Sequence, residues 1–317
     1  MEYGGRAMDY SLLIMIVYIF IFLFGVTLIR TGLGQSPPKH VRTLVVNSTL
    51  HPFSGFLVGF AATALLQSSS AVMVLAVSLV AAGIIPFRQT IGIMLGSNVG
   101  TTLTLEILVF SGETLGLLSM GAGILCLLSR VRKLFLPGTI LCGVGCMFLA
   151  MDGMSSWGQE LTGQGWTDWL LENEGMSAGT AVLGGTIIAT IIQSSTATIA
   201  IGIQMYANAF IQLDHAIAIM MGANIGTCLT AVLAALGAKR GAMQTALANV
   251  FLNVGGVLLF LPLIGIFSNV IMALAVDPAA QVAHASVIFN LICSLLVLPF
   301  VSPFASLIER LTGGGGR

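Results

Sequence analysis

The sequence predicts an all-α integral membrane protein of two inverted-topology repeats, with about seven transmembrane helices plus two re-entrant helical hairpins. Three observations predict it. Of the 317 residues, 56% are hydrophobic and only 8% charged, whereas soluble domains carry about 25% charge. Two apolar stretches, 53–85 and 178–213, are each interrupted at the middle by a cluster of hydroxyls and an amide. Finally, residues 59–104 and 185–230 align without a gap, Gln67 meeting Gln193.

A membrane helix needs about 20 apolar residues. Spans of that kind lie near 11–33, 91–111, 114–129, 134–152, 215–236, 241–266 and 283–304. The first, with its apolar run from Leu12 to Ile29, is too long for a signal-peptide core and has no small-residue cleavage site behind it, so it is read as a retained span. The stretches 53–85 and 178–213 suit no single crossing. Their interruptions read Gln67-Ser68-Ser69-Ser70 and Gln193-Ser194-Ser195-Thr196. Two half-length helices meeting at a polar tip fit this pattern best.

Charge tests the assignment. If each hairpin returns to the side it came from, every basic residue except Arg6 falls on one face, among them Lys39, Arg88, Lys133, Lys239 and Arg310. Asp152, Asp168, Glu172, Asp214 and Asp277 then fall on the other. The positive-inside rule places the N-terminus outside and the C-terminus inside. Treating either hairpin as one crossing scrambles the sorting. Residues 1–133 form the first repeat (span, hairpin, two spans), 134–266 the inverted second repeat, and 267–317 a final span and short cytoplasmic tail.

Inverted duplicated units are the mark of secondary transporters, which bind their substrate near the bilayer midplane where the repeats meet. At each tip the second half-helix begins at the hydroxyls. Its first amides lack partners and carry the positive end of the helix dipole, a ready anion site. No basic residue lies near either tip, so the balancing charge calls for a cation held by neutral oxygens, for which sodium is the natural choice. Gly96-Ser97-Asn98-Val99-Gly100-Thr101 and Gly222-Ala223-Asn224-Ile225-Gly226-Thr227, aligned in the repeat, offer those oxygens. Their glycines favour a local helix break that would add backbone carbonyls.

Other polar residues have plainer readings. Thr63 and Ser78, taken singly, are helix-packing residues. Asn253 and Asn290 recur in matching frames 37 residues apart and read equally as interhelical hydrogen-bonders or site members. His284 reads as a packed or interfacial histidine. The five cysteines lie in apolar runs without metal-ligand spacing. Cys228, aligned with Thr102, is expected near the ion pathway. No Ser-His-Asp set, metal motif or paired carboxylates lies at one depth, so an enzyme is disfavoured.

The duplicated tips and the segments that follow them resemble the type II sodium/phosphate cotransporter family, as do the runs at 22–33, 233–262 and 283–299. The resemblance implies sodium-coupled secondary active transport of inorganic phosphate. Carried over, it makes Ser68, Ser69, Ser70, Ser194, Ser195 and Thr196 phosphate ligands. It makes Gln67, Gln193, Asn98, Thr101, Thr102, Asn224, Thr227 and Thr230 sodium ligands. Expected partners are phosphate, sodium, the lipid bilayer of the cell membrane and a second copy of the chain as a homodimer, with no nucleic acid. Transport or export of another oxyanion, and an anion channel, stay open as alternatives.

Overall fold

The computed structural model of the chain describes residues 2–33, 51–110, 112–129, 131–162 and 177–313. The expected external segment with Trp166, Asp168, Trp169 and Glu172, and the basic residues Lys39, Arg42 and Arg130, lie outside the described residues. The described residues form helices α1 (Glu2–Leu33), α2 (Pro52–Leu66), α3 (Ser69–Ala81), α4 (Phe87–Leu108), α5 (Glu113–Leu128), α6 (Arg132–Thr162), α7 (Ala178–Ile192), α8 (Ser195–Ala207), α9 (Leu213–Ala235), α10 (Arg240–Phe260), α11 (Ile264–Leu274), α12 (Pro278–Val297) and α13 (Val301–Leu311).

By length and composition, four helical stretches among these can cross a membrane: Arg132–Ser156, Leu213–Ala235, Arg240–Leu274 and Pro278–Leu311. Their surroundings agree. Large apolar side chains such as Leu125, Ile191 and Ile266 are exposed on the outside of the fold, a surface that water would penalise and lipid tails accept. In contrast, α2, α3, α7 and α8 have only 13 to 15 residues each. That is too short to span.

Each half-helix pair leans on the long helix that follows it. α2 lies along α4 and α7 along α9, and these are two of the most extensive helix pairings in the molecule. Glycine makes them possible. A Cβ on Gly96 would stand 1.8 Å from the Phe56 carbonyl oxygen, and one on Gly222 would stand 2.0 Å from that of Val182. Phe56 and Val182 are themselves repeat partners. α4 and α9 both run unbroken through these glycines, so the helix break expected there does not occur. A few glycines cost a helix only about 1 kcal/mol each, which backbone-to-backbone packing offsets.

The last two expected spans are longer than their apolar runs suggested, and each is interrupted. 3-10 turns at Leu261–Leu263 and Leu298–Phe300 carry Pro262 and Pro299, where proline cannot supply the helical N–H. Beyond them the chain continues as α11 and α13. The expected repeat boundary at 266 falls inside α11. α10 and α12, matched 37 positions apart, sit in related places: α10 packs on α9 and α3, α12 on α4 and α8. A separate group is built by α1 on α6 and α6 on α5.

Repeat partners Arg88 and Asp214 each tie down one of the short terminal helices. Arg88 donates two hydrogen bonds to the Glu309 carboxylate on α13, at 2.9 and 2.7 Å, and one to Ser306. Asp214 accepts from Ser268 on α11.

Candidate functional site

Both tips are built the same way. α2 ends at Gln67, with φ 50° and ψ 33°, and α7 ends at Gln193, with φ 55° and ψ 31°. These left-handed residues turn the chain sharply in a conformation that non-glycine residues rarely adopt. The next residue caps the second half-helix. The Ser68 hydroxyl accepts from the amide of Ala71, and the Ser194 hydroxyl from that of Ala197, both at 3.2 Å. A capped helix start still leaves its first two amides without intrahelical partners. Those belong to Ser69 and Ser70 at one tip, and to Ser195 and Thr196 at the other.

The structure brings the tips together. One small polar space is lined by Gln67, Ser68, Ser69, Ser70, Thr101, Gln193, Ser194, Ser195 and Thr196. Two helix N-termini and a ring of hydroxyls thus face one small space that, among the described residues, no ionisable side chain lines. The second tip is the deeper, with Ser194, Ser195 and Thr196 only 5 or 6% exposed, while Ser68, Ser69 and Ser70 are half-buried.

A second small chamber adjoins it. Its walls are Ser69, Ser70, Met73, Asn98, Thr101, Asn224, Thr227, Asn249 and Asn253. Ser69, Ser70 and Thr101 border both spaces. The chamber is rich in side-chain oxygens, none of its lining side chains among the described residues is charged, and the unbroken α4 and α9 supply it with side chains rather than free carbonyls.

Of the fourteen residues expected in the site, Thr102 and Thr230 line neither space. Thr102 is buried and donates to the Val99 carbonyl at 2.8 Å, and Thr230 donates to that of Thr227 at 2.8 Å. Thr104, the repeat partner of Thr230, instead donates to the side-chain carbonyl of Gln67. The Gln67 amide in turn donates to the Ala64 carbonyl at 2.6 Å. The repeat alignment already pointed at Thr104, because it matched Thr230 there.

Asn249 was missed altogether, although an asparagine one helical turn before Asn253 in an apolar helix is itself a signal. Asn253 does both of the things read for it, hydrogen-bonding between helices and lining the chamber. Asn290 accepts from the Asn224 amide at 3.4 Å, which ties α9 to α12. Cys228 is buried at 2% exposure, receives a hydrogen bond from Asn253 at 3.3 Å and donates to the Asn224 carbonyl at 3.2 Å. It lies behind the chamber wall rather than in it. The packing reading holds for Thr63, which is buried and meets Ser97 on α4 at 2.7 Å, but not for Ser78, which is exposed and donates only to the Val74 carbonyl of its own helix.

His284 is more engaged than a merely packed histidine. Its Nδ1 lies 2.9 Å from the Glu106 carboxylate, linking α12 to α4. The pair is partly exposed, with the two side chains 37% and 32% accessible. Among the described residues, no group of three or more His, Cys, Asp or Glu could hold a metal ion.

Short half-helices meeting at a shared polar site, inside a lipid-facing helical bundle, define a multi-pass membrane transporter rather than an enzyme. The chain belongs to the Na+/Pi-cotransporter family, whose model matches residues 21–156 and 159–296. It is 35% identical over 271 residues to the uncharacterized protein YqeW of Bacillus subtilis (strain 168), covering 86% of this chain and 88% of that one. It is 27% identical over 280 residues to YjbB of Escherichia coli (strain K12), whose name assigns it inorganic phosphate export. That match takes in 88% of this chain and 52% of YjbB, so the chain spans about half the length of that relative. A shorter stretch of 84 residues, 25% of this chain and 14% of the other, is 38% identical to the human sodium-dependent phosphate transport protein 2C. No solved structure matches significantly.

Proposed function

We propose that this protein moves inorganic phosphate across the cell membrane, coupled to sodium, with phosphate held between the two hairpin tips and sodium in the adjoining chamber. The observation that carries the proposal is the shared cavity of the tips. Two helix N-termini and their hydroxyls offer donors on two sides of a tetrahedral oxyanion. The capping hydroxyls of Ser68 and Ser194 accept from the backbone and keep a proton to donate outward. With no Arg or Lys among the described residues of the walls, charge balance falls to a cation. A cation in the neutral chamber lies against the phosphate across Ser69, Ser70 and Thr101. Each ion lowers the cost of burying the other, which is what coupling requires.

Inverted topology completes the scheme. If each hairpin returns to its own side, α4, α5 and α6 make three crossings between them. The two tips then reach the midplane from opposite faces, as alternating access requires. The direction of net flux follows from the gradients, and the name of YjbB makes phosphate export as natural a use as uptake.

The test is equilibrium binding of labelled phosphate to purified protein. Sodium should raise the affinity at least several-fold over choline, and Ser194→Ala with Ser195→Ala should remove binding. Binding that ignores sodium, or survives the loss of both hydroxyls, rejects the reading.

A further inference from the structure

α10 brings Asn249 and Asn253 to the chamber from outside the duplicated motifs. The two are 5% and 4% exposed in an otherwise apolar helix. Burying two carboxamides in a membrane helix is costly unless they are partnered. Their partners show a direction. The Asn253 amide nitrogen donates to the Asn249 backbone carbonyl at 2.9 Å, to the Asn249 side-chain carbonyl at 3.2 Å and to Cys228 at 3.3 Å. With the nitrogen engaged by its own helix and by α9, the side-chain carbonyl oxygen is the end of the carboxamide left for the chamber that Asn253 lines.

The matched position on α12 behaves differently. There Ser286 stands where α10 has Asn249. Asn290 gives its amide to the Ser286 carbonyl at 2.9 Å and accepts from the amide of Asn224 at 3.4 Å. Its carbonyl oxygen is spent on Asn224, and Asn290 lines neither polar space. The Asn224 carbonyl oxygen is thereby left for the chamber. Two helices related by sequence therefore play different parts: α10 supplies an oxygen, and α12 orients one.

We propose that Asn253, buttressed by Asn249 and Cys228, is a ligand of a single sodium ion in the chamber, together with Asn98, Asn224, Thr101 and Thr227. The inference rests on the sodium-coupled reading and extends it. The site is asymmetric, with one cation on the α10 side and no twin on the α12 side. Its all-neutral oxygens suit a monovalent cation. A divalent ion would meet no carboxylate among the described residues of the walls.

The test is binding of radioactive sodium to the purified protein, with its sodium-free melting temperature as a check on folding. Asn253→Ala should weaken sodium binding by about 10- to 100-fold, the range seen when a metal site loses a supporting group. Asn253→Asp keeps an oxygen in place and adds a charge, so it should still bind sodium and should let calcium compete for it. If Asn253→Ala proves unfolded, the Asp variant decides. Unchanged sodium affinity in folded Asn253→Ala, or failure of calcium to compete in Asn253→Asp, overturns the inference while leaving sodium-coupled phosphate binding intact. An unsubstituted protein that binds no sodium overturns both readings.

Discussion

Thr104 of α4 donates its hydroxyl proton to the side-chain carbonyl of Gln67, so the first tip is tied to the long helix that follows it. The same glutamine bends the backbone and lines the cavity. Substitutions can separate those jobs. Gln67→Ala keeps the left-handed strain and loses the side chain, while Gln67→Gly relieves that strain. Both should lose coupled phosphate transport, and the Gly variant should melt at the higher temperature. Near-normal transport in both variants would make the amide a packing group. Gln193→Ala should also abolish transport.

The glycines of α4 and α9 carry a stability prediction. Gly96→Ala and Gly222→Ala each force a methyl into a carbonyl oxygen, and should destabilise the fold by about 1 to 3 kcal/mol or more. Gly184 and Gly255 have nothing within 4 Å of a built Cβ. Alanine there should be neutral, or stabilising by up to about 1 kcal/mol through helix propensity. Thermal melting in detergent distinguishes the two sets. Equal effects would mean that close approach is not what those glycines provide.

Topology is open to a direct check. In a cysteine-free background, Val276→Cys, at a site 93% exposed in the turn before α12, should react with an impermeant thiol reagent from outside. Lys239→Cys, at the start of α10, should react only after the membrane is opened. External labelling at 239 would undo the inverted arrangement.

Cys228 was expected beside the ion pathway, and the structure sets it one layer behind. Bulky thiol reagents should leave it unmodified in the folded protein. Cys228→Val removes the acceptor that helps orient Asn253 and should raise the sodium concentration for half-maximal transport. Cys228→Ser should largely preserve it. Equal effects of the two substitutions would remove Cys228 from the support of the site.

Much of this was legible in the chain. The tips announce themselves because four consecutive polar residues have no other use in the middle of an apolar run. Their duplication marks Gln67 and Gln193 as equivalents before any geometry is known. The role of Gly96 and Gly222 was not legible: glycine serves breaks and close contacts alike, and only the neighbour at Phe56 or Val182 decides between them. Nor were α11 and α13, since apolar sequence continues across Pro262 and Pro299 without a polar marker. Asn249 was passed over because it belongs to no duplicated cluster. Thr102 was included through the family resemblance, yet α4 turns its hydroxyl back onto Val99.

The central claim is that the paired tips and their chamber couple phosphate to sodium. Labelled phosphate flux into proteoliposomes of the unsubstituted protein, with an imposed inward sodium gradient or with choline in its place, tests it most directly. Saturable accumulation above equilibrium that collapses with the sodium gradient is the predicted result. Phosphate flux that is indifferent to sodium, or that never exceeds equilibration, would contradict the account.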